Sequence, residues 1–234
     1  MRVALITGAS AGLGRALAAA LADRGWITIV DARGADALAE AAAGFARGAQ
    51  IVAIPGDVTD PEHRAELIDA AKRFGQLDLL VNNASYLGPS PQSALADYPT
   101  DELRRVYDAD VFAPVALIQE ALPLVSASAG TIVNVSSDAA VEPYAGWGGY
   151  GSAKAALDQA TAILGAELPH LTVYAFDPGD MRTAMHQRAY PGEDISDRPE
   201  PESVVPSFLR LIEERPPSGR YRVADLTASI GASA

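Results

Sequence analysis

Cysteine is absent from the 234-residue sequence, and lysine is nearly absent, with two lysines among 18 basic residues. Without cysteine there can be no disulfide bond, thiolate metal ligand or cysteine nucleophile. The formal net charge of −12 leaves no excess of basic side chains for phosphates, so we expect no nucleic-acid partner. No apolar run reaches the roughly 18 residues that a membrane span needs, and the opening run is too short for a signal peptide. We therefore expect a cytoplasmic protein with no membrane partner.

Short runs rich in Val, Ile and Leu alternate with Ala-rich segments that suit helices. Their continuous hydrophobicity is typical of strands buried on both faces of a parallel sheet. The predicted strands cover residues 3–7, 27–31, 51–55, 77–82, 131–136, 171–176 and 219–224. No linker or internal repeat interrupts the alternation. We predict one α/β domain over residues 1–234, a Rossmann-like doubly wound parallel sheet of about seven strands with helices on both faces.

The segment "YPGEDISDRPEPES", residues 190–203, is rich in proline, glycine and acidic residues. A flexible linker and a disordered loop are both compatible with this composition. Because a further strand is predicted after it, we favour a mobile loop over residues 186–203 that borders the substrate site.

The stretch "TGASAGLG", from Thr7 to Gly14, lies between the first strand and the first helix. Gly8, Gly12 and Gly14 would let the backbone turn tightly and approach a pyrophosphate held at the helix N-terminus. An ordinary strand-to-helix turn is the alternative. The position at the first strand–helix junction favours nucleotide binding.

Several motifs in order resemble the short-chain dehydrogenase/reductase family: "TGASAGLG", "GDVTD" at 56–60, "NNAS" at 82–85, Tyr150-x-x-x-Lys154 and "DPGDMRTAM" at 177–185. The resemblance implies hydride transfer between a nicotinamide cofactor and a small carbonyl or alcohol substrate. It implies that Asp57 contacts adenine and that Thr183 holds the nicotinamide carboxamide. The other implied cofactor contacts are Ser10, Leu13, Val58, Asn83, Ala84, Tyr150, Lys154, Pro178, Gly179 and Met181.

Three residues are candidates for the reacting end of the site. Tyr150 and Lys154 are four positions apart and so share one helix face, although an isolated pair of this kind is usually an accident of a surface helix. Ser137 lies thirteen residues before Tyr150, as in the family, and would otherwise be a strand-end cap. The resemblance implies that Tyr150 is the acid–base, that Lys154 lowers its pKa and binds ribose, and that Ser137 positions the substrate oxygen.

Two residues depart from the family pattern. Asp110 stands where the family usually has an asparagine of its proton relay, and Ser85 stands where it has glycine. The asparagine acts through its backbone carbonyl, a role that aspartate could keep if Pro114 preserves the helix kink. A buried aspartate near Lys154 could instead change the charge balance and the pH profile. We include Asp110 among the candidate catalytic residues and expect activity, while Ser85 could crowd the ribose.

The choice of cofactor depends on one position at the end of the second strand. Asp31 as the ribose-binding acid would indicate NAD(H), about 20 residues after the glycine turn. Alignment to the family instead places the selective position at Ala32, followed by Arg33, which could bind a 2′-phosphate. Because side chains alternate along a strand, Asp31 and Ala32 should not both face the ribose. NADP(H) is favoured and NAD(H) remains possible.

Other residues have weaker signals. His63 is expected to be solvated on a helix, and His186 to have no role in the site. Tyr144 and Trp147 are equally compatible with substrate contact and with packing. No group of side chains has metal-ligand spacing.

The resemblance implies a homodimer or homotetramer joined through the helices around residues 101–125 and 150–167. Two other functions remain open: a catalytically silent Rossmann regulator that binds nucleotide, which Asp110 would favour, and a scaffolding subunit that binds none.

Overall fold

Seven parallel β-strands form the centre of the protein in the computed structural model, which describes residues 1–45 and 48–227. They are β1 Val3–Ile6, β2 Ile27–Ala32, β3 Ile51–Pro55, β4 Leu79–Asn82, β5 Thr131–Val135, β6 Thr172–Asp177 and β7 Gly219–Arg222. Their order is β3-β2-β1-β4-β5-β6-β7, which reverses direction between β1 and β4, where sheets of this kind bind ligands. This confirms the predicted doubly wound fold. Residues 46–47 and 228–234 of the predicted domain lie outside the described part.

Helices connect the strands. Within the described residues they are α1 Gly12–Asp23, α2 Ala35–Ala43, α3 Pro61–Lys72, α4 Thr100–Tyr107, α5 Ala113–Ala127, α6 Gly148–Glu167, α7 Ala184–Ala189, α8 Val205–Glu214 and α9 Val223–Thr227. The Asp60 carboxylate caps α3 by accepting a hydrogen bond from the Glu62 backbone N–H at 2.9 Å. The last strand is two residues shorter than predicted, because α9 begins at Val223 and Asp225 accepts from the Arg222 backbone N–H at 2.9 Å.

Both faces of the sheet are covered, and alternate residues of each strand pack on opposite sides. In β1, Ala4 and Ile6 belong to one buried cluster, with apolar side chains of α1 and α8. Val3 and Leu5 belong to the other, with side chains of α3 and α5. Every residue of β1 and β2 is buried, which explains why their sequences are continuously apolar rather than alternating.

The helical stretch Thr100–Ala127 changes pitch in its middle. A π-helical turn, Asp108–Phe112, joins α4 to α5. Pro114 follows at once in the first turn of α5, where its missing N–H and its ring favour a local departure from regular α-helix. By length and composition the stretch could span a membrane, with a mean hydropathy of 1.3, but 44% of that window is buried inside the protein. We interpret it as a core helix whose π-turn directs Asp110 inward.

The segment 186–203 is partly ordered into helix. Helix α7 covers its start, a 3₁₀ turn spans Pro201–Ser203, and Ile195 is buried between them. The Pro199 carbonyl accepts a hydrogen bond from the Arg182 N–H at 2.8 Å. These contacts attach the segment to the body of the protein at several points, and its mobility stays a prediction.

Substitution of a core leucine tests the packing of α1 on the sheet. Leu17 is fully buried in the first cluster, so Leu17→Ala should lower the free energy of unfolding by about 2–5 kcal/mol. Leu95, which is 58% exposed, is the matched control, and Leu95→Ala should cost under about 1 kcal/mol. Denaturant unfolding of the two variants measures both values, and equal losses would contradict the assigned packing.

Candidate active site

The glycine-rich turn between β1 and α1 packs directly on the end of β4. Gly8 has a φ of +68°, and a Cβ at this position would lie 2.9 Å from the Ala84 Cα, so only glycine fits. The Asn83 side chain donates to the carbonyl oxygens of Thr7 and Gly8, at 2.9 and 3.2 Å. Asn83 therefore holds the turn in shape from the neighbouring strand.

Gly14 lies beneath the turn rather than at a cavity. It is buried in α1 and lines neither cavity of the site, and a Cβ there would lie 2.5 Å from both Gly8 O and Asn83 Nδ2. Gly14 therefore permits close packing of the helix on the turn, and its contact with a cofactor stays a prediction.

A buried ion pair between Asp31 and His63 holds the same turn through the Gly8 backbone. The Asp31 carboxylate accepts from the Gly8 backbone N–H at 2.8 Å and lies 3.1 Å from His63 Nε2. His63 is only 5% exposed, so the expectation that it is solvated is wrong. Its ring fits because Gly56 has no side chain: a Cβ there would lie 2.1 Å from His63 Nδ1. Sequence reasoning missed His63 because Gly56 and Asp31 come from other strand ends.

The pKa values of Asp31 and His63 depend on the contact between the two side chains. Burial raises the pKa of Asp31, although the hydrogen bonds from His63 and Gly8 oppose this. The hydrogen bond to Asp31 raises the pKa of His63, against the effect of burial. His63 is therefore the proton-holding partner at mildly acidic pH.

Two adjoining cavities lie along the carboxyl ends of the strands and share Gly8, Ala84 and Ser85. The first, of about 620 Å³, is lined by the predicted residues Ser10, Arg33, Asp57 and Val58, together with both Asp31 and Ala32. The second, of about 510 Å³, is lined by the predicted residues Gly12, Leu13, Asn83, Ser137, Tyr150, Lys154, Pro178, Gly179, Met181 and Thr183. The structure thus brings together all the predicted site residues except Gly14 and Asp110.

The shape and donors of the cavities suit a dinucleotide. The first offers a glycine turn with no side chain at Gly8, and the exposed guanidinium of Arg33 lies at its border. The second extends from the same turn to Tyr150 and Lys154. One elongated ligand could therefore contact the turn at its middle and the ionisable pair at its end.

Ser137 follows β5 and has a structural contact as well as a place in the cavity. Its Oγ accepts from the Ala139 backbone N–H at 3.2 Å and lies 3.1 Å from Asp138 Oδ1, to which it donates. The strand-end cap considered for this serine is thus present. Because the cap uses Oγ as acceptor, its proton can turn from Asp138 toward a ligand without breaking the cap.

Tyr150 and Lys154 lie one turn apart on α6, and both are buried, with exposures of 8% and 2%. Lys154 Nζ lies 5.4 Å from the centre of the Tyr150 ring and donates to the Val135 carbonyl at 3.0 Å. Trp147 packs edge-on against Tyr150, with ring centres 5.9 Å apart. These contacts fix the tyrosine between an ammonium group and an aromatic wall.

Asp110 lies behind this pair and contacts no cavity. It is fully buried, and its Oδ1 is 3.0 Å from Lys154 Nζ. Oδ1 also accepts a hydrogen bond from the Ser85 hydroxyl, and Oδ2 accepts from the Tyr86 N–H at 3.1 Å. Asp110 is thus a buried aspartate next to Lys154, as one of its two alternatives requires, and the Ser85 side chain contacts Asp110.

The charges around Tyr150 act in opposite directions. Burial raises the pKa of Tyr150, Lys154 lowers it and Asp110 raises it again, so that the net direction is upward. The expected lowering by Lys154 is thus present but outweighed. Burial would lower the pKa of Lys154, but Tyr150 and Asp110 raise it above its usual value, and Lys154 stays an ammonium.

Arg220, on β7, links the strand ends behind the site and was not predicted. Its guanidinium contacts Asp177 at 2.8 Å and Asp158 at 3.0 Å, and it donates to the Ser137 carbonyl at 3.0 Å. The hydrogen bond to the Ser137 carbonyl therefore helps to fix the position of the serine backbone. No motif marks this arginine, because its partners lie on three other elements.

The site's geometry agrees with comparisons to known proteins. The family model for short chain dehydrogenase matches residues 2–194. The chain belongs to this family. An uncharacterized oxidoreductase of Schizosaccharomyces pombe is 34% identical over 184 residues, covering 79% of this chain and 72% of the relative. A rhamnolipids biosynthesis 3-oxoacyl-[acyl-carrier-protein] reductase of Pseudomonas aeruginosa is 33% identical over 197 residues, covering 79% and 74%. The protein is thus an oxidoreductase of the short-chain dehydrogenase family.

Solved structures of family members superpose closely on this chain. One from Shigella flexneri, complexed with NADP, has a TM-score of 0.89 and 28% identity and covers 95% of this chain and 97% of its own. One from Escherichia coli, complexed with NADPH, has a TM-score of 0.86 and 28% identity, covering 95% and 96%. NADP(H) binding therefore occurs among the structural neighbours of this protein.

The pair formed by His63 and Asp31 should make stability depend on pH. His63 has a raised pKa in the folded state, so its contribution is complete below the unfolded value of about 6.5 and is lost as pH rises through the folded value. We expect His63→Gln to lower the free energy of unfolding by about 1–3 kcal/mol at pH 6 and by less at pH 8.5. Denaturant unfolding at both pH values measures this, and a constant difference would contradict a charged pair.

Proposed function

We propose that the protein transfers hydride between NADP(H) and a carbonyl or alcohol substrate, as a carbonyl reductase or alcohol dehydrogenase. The observation that carries the proposal is that Ser137, Tyr150 and Lys154 line one cavity continuous with the glycine turn. When bound, the reduced cofactor supplies the hydride for the carbonyl carbon. Side chains of the protein position the substrate and transfer the proton.

Each of the three residues has one function in this proposal. Ser137 donates its hydrogen bond to the substrate oxygen, with its Oγ held by the Ala139 N–H. Tyr150 gives its hydroxyl proton to that oxygen during reduction and takes it back during oxidation. Lys154 uses two contacts within the protein, to Val135 and Asp110, and has a third N–H for a ribose hydroxyl.

We propose NADP(H) over NAD(H) because of the residues beside the first cavity. Asp31 is 1% exposed and its carboxylate oxygens already serve Gly8 and His63, which leaves it poorly placed to bind a ribose hydroxyl. Ala32 leaves space, and Arg33 offers paired N–H donors to a 2′-phosphate. The NADP and NADPH complexes of structural neighbours support the same choice.

The far end of the second cavity favours a substrate with an apolar or aromatic group. Leu87, Trp147, Met185, Ala189 and Tyr190 line it. The rings of Trp147 and Tyr190 pack at an angle of 45° with centres 5.8 Å apart and form one continuous aromatic wall. We propose that the carbonyl points to Tyr150 while its apolar substituent packs on this wall.

We also propose that the protein assembles into a homodimer or homotetramer. The two helical regions implied for the interface each expose a large apolar side chain, Phe112 at 60% and Ile163 at 47%. Sedimentation of the purified protein tests this. We expect two or four subunits, and a monomer at micromolar concentration would contradict the assembly.

Loss of the Tyr150 hydroxyl separates chemistry from binding. Tyr150→Phe should abolish turnover while the Kd for NADPH stays within about threefold, since the ring and its packing remain. Tyr221→Phe is the control, because that hydroxyl donates to Pro217 outside both cavities, and its turnover should be unchanged. An active Tyr150→Phe enzyme would show that another group moves the proton.

Loss of the Arg33 guanidinium tests the choice of cofactor. Arg33→Ala should weaken NADPH binding about 10-fold or more and NADH binding little, because only NADPH carries the phosphate. Arg73→Ala, an exposed arginine at the end of α3 and outside both cavities, should change neither. Fluorescence titration with each cofactor measures these affinities, and equal losses for NADPH and NADH would exclude a phosphate contact.

A further inference from the structure

The two positions at which this chain departs from the family pattern contact each other. Ser85 follows β4 and Asp110 lies in the π-turn, yet the Ser85 hydroxyl donates a hydrogen bond to Asp110 Oδ1. The same carboxylate accepts from the Tyr86 N–H at 3.1 Å. A glycine and an asparagine could not form this contact, so the two changes form one structural unit.

This unit changes the charge that Tyr150 experiences. Asp110 is fully buried and lies 3.0 Å from Lys154 Nζ, in a region where water does not screen the pair. With a neutral asparagine, the ammonium of Lys154 would favour a nearby phenolate. With Asp110, the ammonium and the carboxylate largely offset each other, and that advantage for the phenolate is reduced.

The unit also changes the hydrogen bond available to the phenolate. Ser85 and Tyr150 line the same cavity, and a hydrogen bond from Ser85 would lower the pKa of Tyr150. The serine hydroxyl has only one proton, however, and it donates that proton to the Asp110 carboxylate. While Asp110 accepts this hydrogen bond, Ser85 cannot donate one to a phenolate.

The remaining ionisable side chains around Tyr150 and Lys154 come from β6, α6, the segment around α7 and the loop after β5: Asp177, Asp158, His186, Tyr190, Asp138 and Tyr144. Asp177 and Asp158 both pair with Arg220, which offsets part of their charge. His186 Nδ1 lies 3.7 Å from the exposed Asp180. None of these contacts supplies an additional positive charge next to the Tyr150 hydroxyl.

We propose that Ser85 and Asp110 act together as positioning residues that keep the Tyr150 hydroxyl protonated and so set the pH range in which Tyr150 can take a proton from an alcohol substrate. The proposal rests on the proposed function, in which Tyr150 is the acid–base. In reduction the Tyr150 O–H bond breaks, its proton bonds to the substrate oxygen, and the phenolate regains a proton from water. Oxidation needs the phenolate at the start, so its dependence on pH follows the ionisation of Tyr150.

The first test needs neither cofactor nor substrate. Tyrosinate absorbance is followed against pH for the wild-type protein and for Tyr150→Phe, and their difference reports Tyr150 alone. We expect the wild-type midpoint to lie above the ordinary tyrosine value of about 10. A midpoint below that value would overturn the proposal, even if the variants of Ser85 and Asp110 failed to fold.

The second test uses the variants Asp110→Asn and Ser85→Gly, singly and together, each compared with the same chain carrying Tyr150→Phe. Asp110→Asn should lower the midpoint by about one pH unit or more. Ser85→Gly should raise the midpoint in the Asp110→Asn background, where the serine can serve the phenolate, and change it much less alone. Equal effects of Ser85→Gly in both backgrounds would show that the two residues act separately.

Activity completes the second test. In Asp110→Asn, the rising limb of the pH profile of alcohol oxidation should move to lower pH together with the midpoint. A limb that stays in place despite a lowered midpoint would overturn the claim that this ionisation governs oxidation. Absence of any turnover with an intact midpoint would instead contradict the proposed function.

Discussion

The all-parallel sheet is the constraint on which the site depends. Because every strand runs the same way, the ends of β1, β2, β4, β5 and β6 meet along one edge, and residues far apart in sequence become neighbours. The turn at Gly8, the loop after β4 and the serine after β5 are brought together in this way. The order reverses between β1 and β4, and the two cavities adjoin at that point.

Buried ion pairs then determine the shape of the glycine turn and the charge around Tyr150 at this edge of the sheet. Each of two ion pairs holds a buried aspartate at the site: Asp31 with His63 next to the glycine turn, at the first cavity, and Asp110 with Lys154 near the tyrosine. Burying a charge is costly unless it is paired and hydrogen-bonded, and both carboxylates also accept a backbone N–H. The first pair shapes the turn that faces a cofactor. The second pair affects the pKa of the Tyr150 hydroxyl.

The fold and the outline of the site could be predicted because they depend on local patterns. Continuous apolar runs mark strands buried on both faces, and Tyr150 and Lys154 are one helical turn apart. His63 and Arg220 could not be found in this way. The burial of His63 requires the missing side chain of Gly56, and Arg220 joins Asp158 to Asp177 across two other elements. These contacts join elements that are distant in the sequence, so no motif or periodicity marks them.

The departures at Ser85 and Asp110 illustrate the same limit. Each could be identified as unusual from the sequence, and a change in the charge around Lys154 was one of the alternatives for Asp110. Their contact with each other could not be predicted, because it depends on the π-turn that directs Asp110 toward the end of β4. The π-turn contains one residue more than an α-helical turn, and this extra residue determines that Asp110 is the side chain that contacts Lys154.

Fluorescence titration with NADPH, followed by a panel of ketones and aldehydes with apolar substituents, tests the central claim most directly. The account predicts saturable NADPH binding and NADPH oxidation that depends on added carbonyl compound. Failure to bind NADPH or NADH would contradict the assignment of the strand-end cavities as a dinucleotide site, and binding without turnover across the panel would indicate a silent nucleotide-binding protein.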